Sequence, residues 1–102
     1  GQYQISLYAE SDASCTTPGS AAMSVTVGWG DRTGARSMTV PLQGTGITNG
    51  SMALGSTANF GQAIINVWNN SASNNLTYST SYTACTTGTG TYALYITYRR
   101  IQ

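Results

Sequence analysis

Glu10, Asp12 and Asp31 are the only carboxylate side chains in this sequence, and it contains no His. Without imidazole there is no His-dependent catalytic triad, no ordinary proton shuttle and no His ligand for zinc. Glu10 and Asp12 are two residues apart, so in a strand they share a face. A glycosidase sets two opposed carboxylates across its substrate, whereas this face is expected to be wet, and the pair reads as solvated surface. Ser and Thr are abundant, yet none lies in a G-x-S-x-G elbow and no Lys or His is present to take the proton. Gly28 with Gly30, and Gly88 with Gly90, begin spacings seen in phosphate loops, but neither completes G-x-G-x-x-G or G-x-x-x-x-G-K. They read as turn glycines. Three acidic residues make no strong metal cage, although backbone carbonyls leave calcium open. The expectation is a non-enzymatic protein without cofactor or dedicated metal site.

Cys15 and Cys85 fit neither a metal knuckle nor a C-x-x-C redox pair. One disulfide between them is the simplest arrangement, with two buried free thiols as the alternative. A disulfide would imply an oxidising, extracellular setting. The remaining chemistry is that of binding. Trp68 ends an apolar segment and is followed by Asn69, Asn70, Asn74 and Asn75, a flat ring beside hydrogen-bonding amides that suits a glycan. Trp29 shares a face with Met23, Val25 and Val27 and reads as core, while Trp68 reads equally as core or as a ligand-facing ring. Arg99 and Arg100 fall on opposite faces and read as the solvated end of a strand. Asp31 and Arg32 are candidates for an exposed ion pair, worth about 0 to 1 kcal/mol.

Composition limits the partners. Charged residues are 7% of the 102, and the net charge is +1, too little to neutralise several phosphates or to hold an anionic membrane surface. Neither nucleic acid nor membrane insertion is expected, and no apolar run reaches membrane-spanning length. Hydrophobic residues are 40%, with seven Tyr and two Trp, so one domain over residues 1–102 with an ordinary core is expected. Its surface must then be built largely from Ser, Thr, Asn, Gln and Gly. Asn49, Asn69 and Asn75 each begin an N-x-S/T sequon, which matters only in a eukaryotic secretory host.

The elements that must position these residues are strands. Tyr3, Ile5, Leu7 and Ala9 alternate with Gln2, Gln4, Ser6 and Tyr8, the period-two signature of a strand with one dry face. The chain starts inside this pattern, as a mature or excised domain would. Residues 11–20, with Pro18-Gly19, read as a loop carrying Cys15. Met23, Val25, Val27 and Trp29 form a second strand, a hairpin turn crosses residues 31–35, and the alternation resumes over 37–42 through Met38 and Val40. Glycines at 44, 46, 50 and 55 punctuate a weak strand around 47–54 whose register is not legible. The segment 59–68 holds Phe60, Ile64, Ile65, Val67 and Trp68, and its β-branched run with Gly61 favours a strand with a bulge over a helix. Residues 69–75 form a polar turn cluster. Leu76, Tyr78, Thr80 and Tyr82 alternate with Thr77, Ser79 and Ser81. In the last strand Tyr92, Leu94, Ile96 and Tyr98 face the core, opposite Ala93, Tyr95 and Thr97. About seven short strands with glycine-rich turns and no sustained 3.6 period predict an all-β antiparallel β-sandwich or jelly roll.

The opening Gly1-Gln2-Tyr3-Gln4-Ile5-Ser6, a G-x-Y-x-[IVF]-S run entering a strand, resembles the central strand of C1q and tumour-necrosis-factor-like jelly rolls. The ordered set of segments 2–8, 24–29, 76–82 and 92–96 is more closely similar to C-terminal domains of phage virion and tail-fibre-like proteins. The strands that precede the G-x-Y motif in C1q-like domains have no counterpart here, and neither cysteine belongs to the family pattern. The resemblance implies a homotrimeric knob on a virion or at an extracellular surface, acting in structure and attachment to a host glycan or receptor. It brings no catalytic residue. A strand bulky on both faces suits an oligomer, with Tyr95 packing near a symmetry axis against its copies. Two other classes fit the residues: a lectin-like module centred on Trp68, Asn69, Asn70 and Asn75, and a pilin-like filament subunit that donates residues 1–9 to a neighbour's sheet.

Overall fold

The computed structural model describes residues 1–70 and 75–102. Its elements are β1 (Gln2–Ala13), β2 (Ala22–Asp31), β3 (Gly34–Thr39), β4 (Gln43–Thr45), β5 (Ile47–Thr48), β6 (Ser51–Ala53), β7 (Phe60–Trp68), β8 (Thr77–Thr83) and β9 (Thr91–Arg100). They form two antiparallel sheets packed as a β-sandwich. Sheet I has the order β4-β7-β1-β9. Sheet II has the order β3-β2-β6-β5, with β8 on the free side of β2. The inward residues of β1, Ile5, Leu7 and Ala9, are buried opposite Met23, Val25 and Val27 of β2, as the alternation predicts.

The termini and turns set the polarity of the strands. Residues 84–90, between β8 and β9, meet residues 14–19, which follow β1. Cys15 and Cys85 form a disulfide there, and Thr17 and Thr87 exchange both backbone hydrogen bonds at 3.0 and 3.1 Å. Gly90 closes the packing: a Cβ in its place would lie 3.0 Å from Cys15 Sγ and 3.2 Å from Cys85 Sγ. We call this the disulfide end, and the opposite end, where Gly1, Asp31 and Trp68 lie, the base. Because β1 arrives at the disulfide end and β2 leaves it, the two run in opposite directions, and so do β8 and β9.

Several boundaries differ from the sequence pattern. β1 runs past residue 11 to Ala13, because the Ser11 side chain is buried and its N–H donates to the Asn59 carbonyl at 3.0 Å. The bulge expected at Gly61 is absent: β7 pairs with β1 without interruption from Glu10↔Phe60 to Gln2↔Trp68. The register instead shifts between Ser11 and Ala13 against β9. Gly61 is needed for space, since a Cβ there would come within 2.9 Å of Ile47 Cδ1 and 3.1 Å of Leu42 Cβ. The weak segment 47–54 divides into the tight β5–β6 hairpin, turned by Asn49-Gly50 with both φ angles positive, 51° and 79°. That is the geometry of a type I′ turn.

Ser11 Oγ is buried and has no hydrogen-bond partner among the described residues. An unpaired buried hydroxyl carries a desolvation cost of about 1–3 kcal/mol. Ser11→Ala is therefore expected to leave the fold intact and raise the unfolding free energy by about 1 kcal/mol, read as a higher midpoint in urea titration. A loss of stability would show that the hydroxyl is satisfied.

Candidate functional site

The two lateral sides of the sandwich are unlike each other. On the β4/β5 side the chain crosses between the sheets, and Val40, Leu42, Met52 and Leu54 are fully buried beneath the crossing. The Ala53 N–H donates to the Gly46 carbonyl at 2.9 Å, and Asn59 Nδ2 donates to the Ala53 carbonyl at 2.9 Å, pinning the crossing strands together.

On the other side β8 and β9 are the outermost strands of their sheets. Among the described residues β8 pairs only with β2, and β9 only with β1. Opposed residues of an antiparallel pair project to the same face, so the register Val27↔Tyr78 and Met23↔Tyr82 turns Tyr78 and Tyr82 inward. Ile5↔Tyr98 and Leu7↔Ile96 turn Tyr98 and Ile96 inward as well. Yet Tyr78 remains 60% exposed and Tyr98 67%. The expectation that Tyr98 would cover the core is corrected here. Its inward face meets an open cleft of about 640 Å³, bounded by Ile5, Val27, Leu76, Tyr78, Leu94 and Ile96 among others, with no charged side chain among the described residues of its lining. The cleft narrows towards the disulfide end, where the Tyr82 and Tyr92 rings lie 6.3 Å apart and Tyr82 Oη donates to the Gly90 carbonyl at 3.0 Å. Its lining reaches the base at Tyr3, Asn69 and Asn75.

The expected binding cluster is dispersed. Trp68 lies on the outer face of sheet I, 46% exposed and opposite Gln2. Asn69 instead ties the base together: its carbonyl accepts from the Gly1 ammonium at 2.7 Å, and its Oδ1 accepts from the Gly30 N–H at 3.0 Å. The Asn70 N–H donates to the Gly30 carbonyl at 2.8 Å, and its side chain is exposed. Asn75 lines the cleft between the sheets. Asn74 lies outside the described residues. Trp29 is partly buried against the core, as its strand face predicts.

Tyr95, expected at a subunit interface, lies on the outer face of sheet I and is 58% exposed. Its ring sits 6.5 Å from that of Tyr8, which in turn lies nearly parallel to Phe60 at 6.0 Å. Exposed Ile64 and Trp68 continue this face towards the base, interleaved with Gln2, Gln4, Gln62 and Asn66. Sequence reading singled out Trp68 and Tyr95 separately; the alternation of β1 and β7, taken together, marks the whole face.

Two charged side chains lie on the outer face of sheet I, Glu10 opposite Phe60 and Arg99 opposite Gln4, to whose Oε1 its Nε donates at 3.1 Å; the one ion pair among the described residues is at the rim. Asp31 pairs with Arg36, not with Arg32, at 2.7 Å. The Arg32-Thr33 turn sets Asp31 opposite Gly34, so the diagonal neighbour two residues on, Arg36, lies on the same face. The Arg36 guanidinium, with hydrogen bonds from the Thr33 N–H and hydroxyl, holds the Asp31 pKa down to about 2. A carboxylate with a lowered native pKa contributes stability above its unfolded value that is lost as pH falls through the native one. The Asp31 carboxyl is expected to titrate near 2 by NMR, and Arg36→Ala to move that midpoint upward. An unshifted midpoint in the native protein would contradict the pairing. Among the described residues no group of three or more acidic, Cys or His side chains gathers to hold a metal ion.

A disulfide of this kind forms and persists in oxidising, extracellular-type surroundings. No helix long and apolar enough to cross a membrane occurs among the described residues. Comparison with protein-family models, curated proteins and solved structures finds no match to the chain.

Proposed function

We propose that this domain is a non-enzymatic structural and attachment module of a virion or extracellular surface, working as a homotrimeric knob. The observation that carries this reading is the open side. A sandwich that seals one flank with buried Val40, Leu42, Met52 and Leu54 leaves the other as an open cleft of mixed apolar and hydrogen-bonding lining between two strand edges. At about 150–250 Å² per aromatic side chain, Tyr78, Tyr82 and Tyr98 at their observed exposures leave on the order of 300 Å² in water. A standard interface removes about 800 Å² per partner, so these rings alone supply a substantial share. The low charge and the Ser, Thr, Asn and Gln surface suit a particle coat better than a soluble cytosolic enzyme. Sedimentation velocity of the domain at micromolar concentration tests the reading: a trimer is expected, and a clean monomer overturns it.

A second reading concerns what the assembled module holds, and it moves the glycan site away from the Asn cluster. Phe60, Tyr8 and Tyr95 form an aromatic shelf on the outer face of sheet I, with the Gln62 amide and the Glu10 carboxylate beside it. Aromatic faces with a few hydrogen-bonding groups suit neutral sugar rings. Binding to an array of neutral glycans, weakened by Tyr8→Ala or Trp68→Ala, is expected. An array without hits removes this reading and leaves the assembly unaffected.

A further inference from the structure

We propose that the open side of each sandwich is completed by its neighbour, with β8 of one copy pairing antiparallel to β9 of the next around the trimer axis. This rests on the trimeric reading above and specifies the contact that makes the trimer. Two independent features converge on it. The first is the cleft itself: inward-facing Tyr78 and Tyr98 are mostly exposed, and among the described residues no charged side chain lines the space, so its burial strands no charge and requires partners only for the Asn75 and Thr77 side chains and the tyrosine hydroxyls. The second is the pair of edges that flank it. β8 and β9 each have one strand neighbour among the described residues, and an unpaired edge is a template for another strand.

Strand direction selects how copies can join. β8 runs antiparallel to β2, and β9 antiparallel to β1, and β8 and β9 themselves run in opposite directions because both meet the disulfide end. Copies related by rotation about an axis parallel to the strands keep that polarity. β8 of one copy is then antiparallel to β9 of the next, and sheet II of one protomer continues into sheet I of its neighbour. The elongated body, 46 × 20 × 18 Å, suits such side-by-side packing. The Tyr82–Tyr92 contact at the disulfide end weighs against a two-fold axis perpendicular to the sheets, whereas a two-fold axis parallel to the strands keeps the same β8–β9 pairing and differs from the trimer in copy number. The perpendicular axis would set the base end of one cleft against the end that Tyr82 and Tyr92 close in the other. Rotation about a parallel axis brings all the base ends together, so that the Tyr78 and Tyr98 rings of the three copies share one core. Heterologous contacts of this kind close into a ring, and every β8 and β9 edge is then paired.

Hydrogen exchange of the 102-residue chain, read alongside sedimentation, tests the pairing. In the oligomer, amides across residues 77–83 and 91–100 are expected to exchange about 100-fold more slowly than in the monomer reached by dilution, as newly paired strand edges do. Tyr98→Glu, at a position largely exposed in the protomer, is expected to give a folded monomer with its disulfide intact, whereas Tyr95→Glu on the outer face leaves the oligomer unchanged. A trimer whose β8 and β9 amides exchange no more slowly than in the monomer overturns the strand pairing and leaves the trimeric reading standing. So does a trimer broken by Tyr95→Glu and untouched by Tyr98→Glu. A dimer overturns the trimeric reading, and the strand pairing with it unless its β8 and β9 amides are protected, since a two-fold axis parallel to the strands makes the same pairing; a monomer at micromolar concentration overturns both proposals.

Discussion

Replacing Cys15 and Cys85 together with Ala lowers the stability of the domain by about 4 kcal/mol. The bond spans a sequence separation of 70, and closing a loop of that length removes chain entropy from the unfolded state roughly as its logarithm. A domain of this size has about 5–15 kcal/mol in total, so most of the margin of a weakly stable member of that range would go. In thermal terms the change corresponds to a fall of about 20 °C in Tm for a chain near 100 residues. The effect concentrates where the fold is least supported. The cross-link joins the loop after β1 to the β8–β9 connection, and β8 has no fully buried side chain of its own. Reduction without mutation is expected to reproduce the loss, with residues 77–91 the first to open in hydrogen exchange. Thermal scans of the oxidised, reduced and double-Ala forms check this; a difference below about 1 kcal/mol would mean that the loop-entropy account fails here.

Deleting residues 1–9 unfolds the domain. β1 is the inner strand of sheet I, paired along one edge with β7 and along the other with β9. The remnant 10–13 pairs only with residues 91–93 of β9 and with Phe60, so most of β9 loses its neighbour and β7 keeps little besides the short β4. The deletion also removes buried Ile5, Leu7 and Ala9. Truncating a single buried Leu or Ile to Ala costs about 2–5 kcal/mol, so two such positions already approach the whole stability of a small domain. The pilin-like alternative made the opposite forecast for the same deletion: a folded protomer that no longer polymerises. In the single chain β1 lies within its own sheet, the arrangement from which the unfolding forecast is drawn. Circular dichroism and one-dimensional NMR of the truncated chain distinguish the two, and a dispersed, strand-rich spectrum would return residues 1–9 to a donor role.

Much of the architecture was legible because one side of each central strand is dry and the other wet. Ile5, Leu7 and Ala9, or Met23, Val25 and Val27, carry that contrast in their spacing alone, and it determines strand, face and core. The Asn49-Gly50 turn carried a signal, since few other dipeptides accept two positive φ angles, but the reading ran one weak strand across 47–54, because the residues around it carry too little alternation to mark the two strands it joins. The disulfide could be inferred by elimination among ligand patterns, but its location at one end of the sandwich depends on which loops the topology brings together.

What the sequence by itself determined is the long strands with their dry faces and the absence of His and Lys side chains: periodicity and composition are local properties, and no arrangement of this chain supplies a His that it lacks. What only the tertiary structure decided is which dry faces find a cover. Tyr98 and Ile65 look alike in pattern, each apolar on an inward face, yet Ile65 lies under the opposing sheet while Tyr98 meets a cleft. Asn69 likewise reads as a ligand-binding amide until the base of the sandwich brings Gly1 and Gly30 to it. Burial depends on what packs opposite, and the residues opposite are distant in the chain, so strand order had to be known before the open side could be seen.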